Sequence, residues 1–571
     1  MNRLISLFGA LAVLFAVSCK EAIPNIGNTF SNQIRINQIG YYPDALKKAV
    51  MVSAPEGTFS LLDSKSGEVV FSGKLSEQLD WKMAGETVRI ADFSEFTKPG
   101  SYHIYNKDLG FSYPFEINEH VLHAVFLGSI KGLYFQRAGM ALAEEYASHW
   151  KRDLGHPDDS VMYHPSSGKQ TGILNSPKGW YDAGDYNKYV VNASFPLGQF
   201  FLLEEQYPNS VADGALNIPE SGNALSDYLD ELKYEMDWVL TMQDEDGGMF
   251  HKLTTKNFEG MVMPHEATSQ RYIVGKGTAA SLDFAAAAAQ ASRVFAPYDS
   301  TYAGKCLQAS KRAYNWSLDN PQVEFVNPED ISTGQYGDTN FDDEFFWAAA
   351  ELFVTTADTT FLNQLKTAQI DFSYSPGDGW TKFMRFMGIF TLLDNKSLVP
   401  DELYSTLSNG ILNTADDLTA RTKTLDYFQS VDDFQWGSNS DVLNTAMIIA
   451  QAYRLNNNVE YLSAVRQAVD YVLGNNAMGY SFVTGFGDNP PMFIHHRQSA
   501  ADRIVDPVPG LLSGGPNKDK QDRSAGVEYP ENAPPMKSWT DHEDSYASNE
   551  ICLNWNAPLT YILGFLEQES K

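Results

Sequence analysis

Cysteine is scarce in this chain: three occur in 571 residues, and beyond the N-terminal segment only Cys306 and Cys552 remain. They provide no disulfide framework, so a large core has to hold the fold. Basic residues are scarce too, because 42 Lys and Arg stand against 72 Asp and Glu, a formal net charge of −30. This charge argues against nucleic acid and anionic membrane surfaces as partners, since both bind basic proteins.

Apolar and aromatic residues, by contrast, are plentiful. Hydrophobic residues make up 43% of the chain, and its length predicts two or three globular domains. The 10 Trp, 29 Tyr and 34 Phe exceed what a typical core requires. Most of them belong to the core, but a surplus of flat aromatic faces suits stacking on sugar rings.

The N-terminal stretch "MNRLISLFGALAVLFAVSC" has one basic residue and an apolar run from Leu4 to Val17. The run is too short to span a membrane and is typical of a secretory signal, residues 1–19. The residues before Cys19 resemble a bacterial lipobox, which predicts lipidation of Cys19 and a lipid anchor in the outer membrane, facing the periplasm or the cell exterior. Simple secretion is the alternative. Residues 20–31 are polar and are predicted to form a linker.

Two kinds of pattern divide the rest of the chain. Residues 32–118 contain short β-branched and aromatic runs broken by turns, including a hairpin over 58–75 that turns at 64–67, and they predict a small β-sandwich. Residues 119–571 alternate helical stripes with long loops. The stretch 225–240 is one such stripe, with Ser221 or Asn223 as its N-cap. This many helices indicate a closed ring of helical hairpins whose loops carry the function.

The stretch "GWYDAGDYNKYV" places Asp182 and Asp185 three positions apart, with a glycine between them. Like charges this close are neutralised by a cation, or the pKa of one carboxyl rises. The pair therefore indicates a site where carboxylates orient a water molecule. A turn that caps a helix or binds a structural ion is the other interpretation.

A matching proton donor is expected in "WTDHEDSYASNEICLNWNAP", where Glu550 lies among aromatic side chains that would keep its carboxyl protonated. A surface glutamate at a helix start is the alternative. The loop "GYSFVTGFGDNPPMFIHHR" ends on His495 and Arg497, which could bind sugar hydroxyls. His251 follows a Gly-Gly turn, and a lone histidine there is often structural. No HExxH spacing or cysteine pair indicates a metal site.

Together these stretches resemble glycoside hydrolase family 9, from about residue 120 to the C-terminus and in the family's motif order. "IRINQIGYYPDALKKAV" is similar to the immunoglobulin-like module that often precedes such catalytic domains. The resemblance implies a small all-β immunoglobulin-like sandwich followed by an all-α (α/α)6 barrel. Cys552 stands where this family usually has Ser, Thr or Ala.

The resemblance also implies an inverting endo-β-1,4-glucanase acting on cellulose-like, mixed-linkage or xyloglucan chains. Asp185 would be the base, Asp182 would hold the same water, and Glu550 would be the acid. We group Asp541 and His495 with them, expecting Asp541 to orient its loop rather than transfer a proton. The implied substrate-binding residues are His251, Arg497, Tyr546 and Trp380.

Two other functions are compatible with these motifs. One is an exo-acting β-glucosidase or glucosaminidase on the same barrel, and the other is a non-catalytic glycan-binding lipoprotein. We expect a monomer that needs no cofactor, although the family resemblance leaves a structural calcium open.

Overall fold

The computed structural model describes residue 26 and residues 30–570. The predicted signal segment and Cys19 lie outside the described residues, so lipidation stays a prediction. Within the described residues, no helix is both long and apolar enough to cross a membrane.

The N-terminal strands form two sheets that face each other. One has the order β1-β3-β7-β6, and the other has the order β2-β10-β8-β4-β5 with β9 paired to β8. The predicted hairpin is confirmed as β4 and β5, whose connecting turn is closed by the Asp63 side chain accepting from the backbone N–H of Ser66. The strands are β1 Ile34–Arg35, β2 Gly40–Tyr41, β3 Lys48–Val52, β4 Thr58–Asp63, β5 Val69–Lys74, β6 Leu79–Trp81, β7 Glu86–Asp92, β8 Gly100–Asn106, β9 Gly110–Phe111 and β10 Phe115–Ile117.

The rest of the chain is mainly helical. Its helices are α1 His123–Phe135, α2 Glu144–Ala147, α3 Val190–Gln206, α4 Asp227–Val239, α5 Thr278–Phe295, α6 Ser300–Asp319, α7 Asp342–Thr356, α8 Thr359–Thr367, α9 Gly379–Lys382, α10 Met384–Asp394, α11 Asp401–Thr422, α12 Ser438–Asn456, α13 Val459–Val472, α14 Arg497–Ala501, α15 Tyr546–Asn549 and α16 Leu553–Glu569. Helices α3, α4, α5, α10, α12 and α16 are almost wholly buried, and the central part of α7 is buried too, whereas α6, α8 and α11 bury less than half of their residues.

Local chemistry sets the start of the predicted 225–240 helix differently from our expectation. Helix α4 begins at Asp227, and its N-cap is Ser226, whose hydroxyl accepts from the backbone N–H of Leu229 at 3.2 Å. Asn223 instead donates to the Asp230 side chain, three residues into the helix. The prediction of Ser221 or Asn223 as the cap was therefore wrong, because a serine directly before the first turn is better placed.

A third, small sheet lies among the helices and carries part of the site. Its order is β12-β11-β15-β14-β13, with β11 Val161–Tyr163, β12 Ile173–Leu174, β13 Lys188–Tyr189, β14 Phe250–Thr254 and β15 Tyr272–Lys276. In the antiparallel β13–β14 pair, Tyr189 lies opposite Lys252. The sheet therefore joins the "DAGDYNKY" segment to the segment that follows α4.

The sandwich packs directly against the helices. Trp81 packs against Tyr427 in a tilted arrangement with ring centroids 4.6 Å apart, within the same apolar core as the helices. Glu86, which is 8% exposed, pairs with Lys537 at 2.8 Å. The backbone N–H of Met536 donates to the Met83 carbonyl at 3.1 Å. The sandwich thus contacts the segment that leads into the loop carrying Glu550.

Candidate active site

A cleft of about 660 Å³ collects most of the predicted site residues. The DAGD turn, the His495 loop, the Glu550 loop and the segment around Trp380 each contribute to it. Its lining includes Asp182, Asp185, Tyr189, Phe258, Tyr336, Trp380, Trp436, Asp441, His495, Arg497, Tyr546, Glu550, Cys552 and Trp555.

Main-chain pairing holds three of these segments together. Ala183 forms an antiparallel bridge with Cys552, and His495 forms a parallel bridge with Glu550. Gly184 lies at the crossing point, where an added Cβ would be 2.0 Å from the carbonyl oxygen of His495. Only glycine allows the backbones to approach so closely.

Asp182 is held by two donors. Its Oδ1 accepts from the Asn192 Nδ2 amide at 2.7 Å, and its Oδ2 accepts from the Tyr336 hydroxyl at 2.7 Å. Burial raises the pKa of Asp182 well above its ordinary value, and the negative charge of Asp185 raises it further. Both oxygens have protein donors, so this side chain is fixed in orientation.

Asp185 is fixed through one oxygen and leaves the other unpaired. Its Oδ2 accepts from the Asn187 Nδ2 amide at 2.5 Å and from the Tyr189 hydroxyl at 3.3 Å. Within the described residues its buried Oδ1 has no hydrogen-bond partner. Burial raises the pKa of Asp185, while the nearby Arg497 charge and these hydrogen bonds oppose the rise. The unpaired Oδ1 is therefore able to accept a hydrogen bond from a further group.

Glu550 lies beside the turn that carries the two aspartates. Its Oε1 accepts from the backbone N–H of Gly184 at 3.3 Å. Desolvation raises its pKa well above the ordinary value, and the negative charge of Asp185 adds to the rise more than Arg497 reduces it. In this environment the carboxyl group keeps its proton to higher pH than a solvent-exposed glutamate does.

His495 is neutral in this setting. Its Nδ1 lies 2.6 Å from the carbonyl oxygen of Glu543, to which it must donate, and this fixes the tautomer with a free acceptor at Nε2. Burial and the charge of Arg497 lower its pKa to about 4.

Arg497 is bound mainly to backbone. Its Nη1 donates to the Gly184 carbonyl at 2.9 Å and its Nε donates to the Glu259 carbonyl at 2.9 Å. The guanidinium also lies 5.5 Å from the ring centroid of Phe258. It therefore ties the DAGD turn to the neighbouring loop while bringing a positive charge to the cleft.

Aromatic rings line the cleft on several sides of the carboxyl groups. Trp380 meets Tyr336 edge-on with centroids 5.3 Å apart. The ring centroid of Tyr546 lies 5.4 Å from that of Trp436 and 6.1 Å from that of His495. These partly exposed rings offer flat faces to a sugar chain.

Two predicted site residues do not line the cleft. His251 is 1% exposed, stacks on Phe325 at 3.6 Å, and has Nε2 2.8 Å from the carbonyl oxygen of Gln335. Burial lowers its pKa to about 3, and a buried neutral ring cannot reach a substrate hydroxyl. Asp541 accepts from the backbone N–H groups of Met492 and Phe493, both at 2.8 Å. It therefore holds the His495 loop, and it also accepts from Asn549 Nδ2 at 3.0 Å within its own loop, which is the loop that we expected it to orient.

Several lining residues were not selected from the sequence. Tyr336 and Phe258 come from long loops with no periodic pattern, where one aromatic residue looks like any other. Trp436 stands in the "WGSNSDVLN" stretch, so its position directly before α12 was a usable signal. Asp441, buried within α12, accepts from the Tyr374 hydroxyl at 2.8 Å.

A second acidic group lies near the start of α7. Burial raises the pKa of Asp283 and Glu344 well above their ordinary values, with Asp338 and Asp343 adding to the effect. The oxygens of Asp283 and Glu344 lack hydrogen-bond partners among the described residues. Nevertheless, across residue 26 and residues 30–570 no three His, Cys, Asp or Glu side chains are arranged to hold a metal ion.

Comparison with known proteins defines the class of this architecture. The family model for glycosyl hydrolase family 9 matches residues 123–563, and the cellulase N-terminal ig-like domain matches residues 29–110. The chain therefore belongs to glycosyl hydrolase family 9, with an N-terminal immunoglobulin-like β-sandwich, as the sequence resemblance indicated.

Individual relatives extend over nearly the whole chain. A xyloglucan-specific endo-beta-1,4-glucanase of Bacteroides ovatus is 40% identical over 588 residues, covering 99% of this chain and 98% of its own. Endoglucanase D of Acetivibrio thermocellus is 36% identical, covering 95% of this chain and 84% of its own. A solved family 9 structure from Bacteroides ovatus superposes with a TM-score of 0.88 at 37% identity, covering 95% of this chain and all of that one.

Proposed function

We propose that the protein is an inverting endo-β-1,4-glucanase. The observation that carries the proposal is the unpaired Oδ1 of Asp185, in a cleft where each oxygen of Asp182 accepts one hydrogen bond and burial raises the pKa of Glu550 well above its ordinary value. One free carboxylate oxygen beside a second, fixed carboxylate can hold and deprotonate a water molecule. The protonated carboxyl nearby can then supply a proton to the departing sugar oxygen.

The three carboxyl groups divide the work as inversion requires. Asp185 acts as the general base, Asp182 holds the same water, and Glu550 acts as the general acid. Water attacks the anomeric carbon from the face opposite the leaving group in one displacement, so a β-linked chain yields an α-anomer first. The turn through Gly184 keeps acid and base in a fixed relation.

Aromatic rings, a neutral histidine and an arginine bind the sugar chain. Trp380 and Tyr546 offer stacking faces, and Nε2 of His495 accepts from a sugar hydroxyl. Arg497 contributes its remaining N–H groups and its charge. His251 acts indirectly, because it supports the backbone at Gln335, which lines the cleft.

Xyloglucan is the first substrate to test, since the B. ovatus relative that aligns end to end with this chain is named for it. Cellulose-like and mixed-linkage glucans form the comparison set. We place this chemistry on an (α/α)6 barrel with α3, α5, α7, α10, α12 and α16 inside. The paired packing of α5 with α6, α7 with α8 and α12 with α13, together with that of α16 on α3, supports this closed ring.

Two further expectations remain proposals. The apolar run that ends at Cys19 supports a lipid-anchored, exported enzyme. The structural calcium that the family resemblance leaves open is the other, and the described residues contain no cluster of three His, Cys, Asp or Glu side chains arranged to hold it. No catalytic step uses such an ion.

Two measurements test the proposal: the anomeric form of the first product, and the rate of the Asp185→Ala variant. Proton NMR in the first minutes of xyloglucan hydrolysis should show the α-anomer, and product sizing should show long fragments early. Asp185→Ala should lower kcat by about 10²–10⁴-fold while oligosaccharide binding persists. Asp544→Ala, at an exposed acid near Glu550, is the matched control and should be near normal. A β-anomer appearing first, or an active Asp185→Ala enzyme, refutes the mechanism.

A further inference from the structure

We propose that Lys252 is a positioning residue for the base pair: it anchors the segment that orients both aspartates and supplies the positive charge that favours their ionised form. The proposal rests on the proposed function of Asp185 and Asp182. Lys252 lies in the middle of β14, directly opposite Tyr189 on β13, and its side chain is 0% exposed. A cation this deeply buried needs an explanation.

The partners of the Lys252 ammonium are all uncharged. Its Nζ donates to Asn327 Oδ1 at 2.7 Å, to Thr333 Oγ1 at 3.1 Å and to the Gly334 carbonyl at 2.8 Å. Three acceptors satisfy its three N–H bonds but do not neutralise its charge. All three belong to one segment, residues 327–336, which runs over β14 into the cleft.

One hydrogen-bond chain leads from this segment to Asp185. The backbone N–H of Gly334 donates to the Tyr189 hydroxyl at 3.1 Å, and that hydroxyl donates to Asp185 Oδ2 at 3.3 Å. Lys252 holds the carbonyl of the same Gly334. The lysine therefore fixes the group that directs the Tyr189 proton toward the base.

A second chain leads from the same segment to Asp182. Tyr336 lies two residues after Gly334, and its hydroxyl donates to Asp182 Oδ2 at 2.7 Å. Both phenols that orient the carboxylate pair thus depend on backbone that Lys252 holds. The two rings also pack together, with centroids 4.7 Å apart.

The charge of Lys252 acts on the pair as well. The carboxylates of Asp185 and Asp182 are the negative charges that oppose the loss of its proton, although burial lowers its pKa to about 7. By reciprocity, the ammonium lowers the pKa of Asp182. The other groups around it are the rings of Tyr189 and Phe325, each about 5.5 Å away, and the neutral His251. With a pKa of about 7, the lysine is mainly cationic at acidic pH.

Two uncharged replacements of Lys252 separate its hydrogen bonds to residues 327–336 from its positive charge. In Lys252→Met both are lost, whereas Lys252→Gln keeps a polar end that can bond the segment. Without the cation the carboxylates ionise at higher pH, so the acidic limb of kcat/KM should move upward in both variants. One pH unit below the wild-type optimum, activity should fall about tenfold relative to wild type and should recover toward the optimum. The value of KM should change little.

Lys188→Met is the matched control. Lys188 is another fully buried lysine on the partner strand, but it pairs with Asp158 at 2.8 Å and makes no contact with residues 327–336 among the bonds of the described chain. This variant should lower the melting temperature without moving the acidic limb. A limb that stays in place in folded Lys252→Gln overturns the proposal, as does failure of both Lys252 variants to fold. If Asp185→Ala remains active, the proposed function fails instead, so the two failures are distinguishable.

Discussion

The substitution Gly184→Ala tests whether the backbone crossing beneath the carboxyl groups sets their geometry. The new Cβ would lie 2.0 Å from the His495 carbonyl oxygen and 3.2 Å from Glu550 Oε1. Normal contact between a methyl carbon and a carbonyl oxygen is more than 3 Å, so backbone has to move by about 1 Å. A displacement of about 1 Å at a catalytic centre can cost about 10²-fold in rate.

We therefore expect Gly184→Ala to lose about 10²-fold in kcat, with oligosaccharide binding reduced far less. The assay is steady-state hydrolysis of a soluble β-glucan, with the melting temperature and circular dichroism measured on the same samples. Gly260→Ala is the control, because a Cβ at this loop glycine meets no atom within 4 Å. If folded Gly184→Ala keeps kcat within about threefold of wild type, the crossing does not set the catalytic geometry.

Three further outcomes follow from the site and the N-terminus. Glu550→Gln should nearly abolish polysaccharide cleavage yet spare aryl cellobiosides or glycosyl fluorides, because those leaving groups need little protonation; equal losses would leave Glu550 a binding residue. Burial raises the pKa of Asp185, Asp182 and Glu550, so the pH profile of kcat/KM should be bell-shaped, with both apparent pKa values above the ordinary carboxyl value of about 4. An acidic limb with an apparent pKa near 4 would contradict this. Cys19→Ala should release the protein into soluble fractions, and unchanged membrane association would argue against lipidation.

The parts of the fold that local pattern controls were predictable. The helical stripe over 225–240 and the hairpin over 58–75 depend on periodicity and turn chemistry, which the sequence displays directly. Helix α4, Asp227–Val239, begins and ends within two residues of the predicted stretch, whereas its N-cap was predicted several residues too early. Which of Ser221, Asn223 and Ser226 caps the helix depends on the hydrogen-bond partners of their side chains, such as Asp230 for Asn223. The periodic pattern of apolar residues does not reveal these partners.

The site residues likewise fall into those that the sequence displays directly and those that depend on distant contacts. Asp182, Asp185 and Glu550 were selected because paired acids and an acid among aromatic residues are unusual in sequence as well as in space. Tyr336 was missed because its position depends on a buried lysine from a distant strand. His251 was expected in the cleft, yet it lies behind it, because its ring is buried against Phe325 and bonded to the Gln335 carbonyl, contacts that no local pattern displays.

The acid and the base are supported by separate parts of the molecule. Behind the base pair lie β13, β14 and the 327–336 segment, all within the helical domain. The loop that carries Glu550 is instead preceded by Met536 and Lys537, which contact Met83 and Glu86 of the sandwich. Independent supports can hold two carboxyl groups at a fixed separation only if something joins them. That junction is the backbone at Gly184, whose N–H donates to Glu550 and whose carbonyl accepts from Arg497. A single residue without a side chain therefore fixes the position of the acid relative to the base.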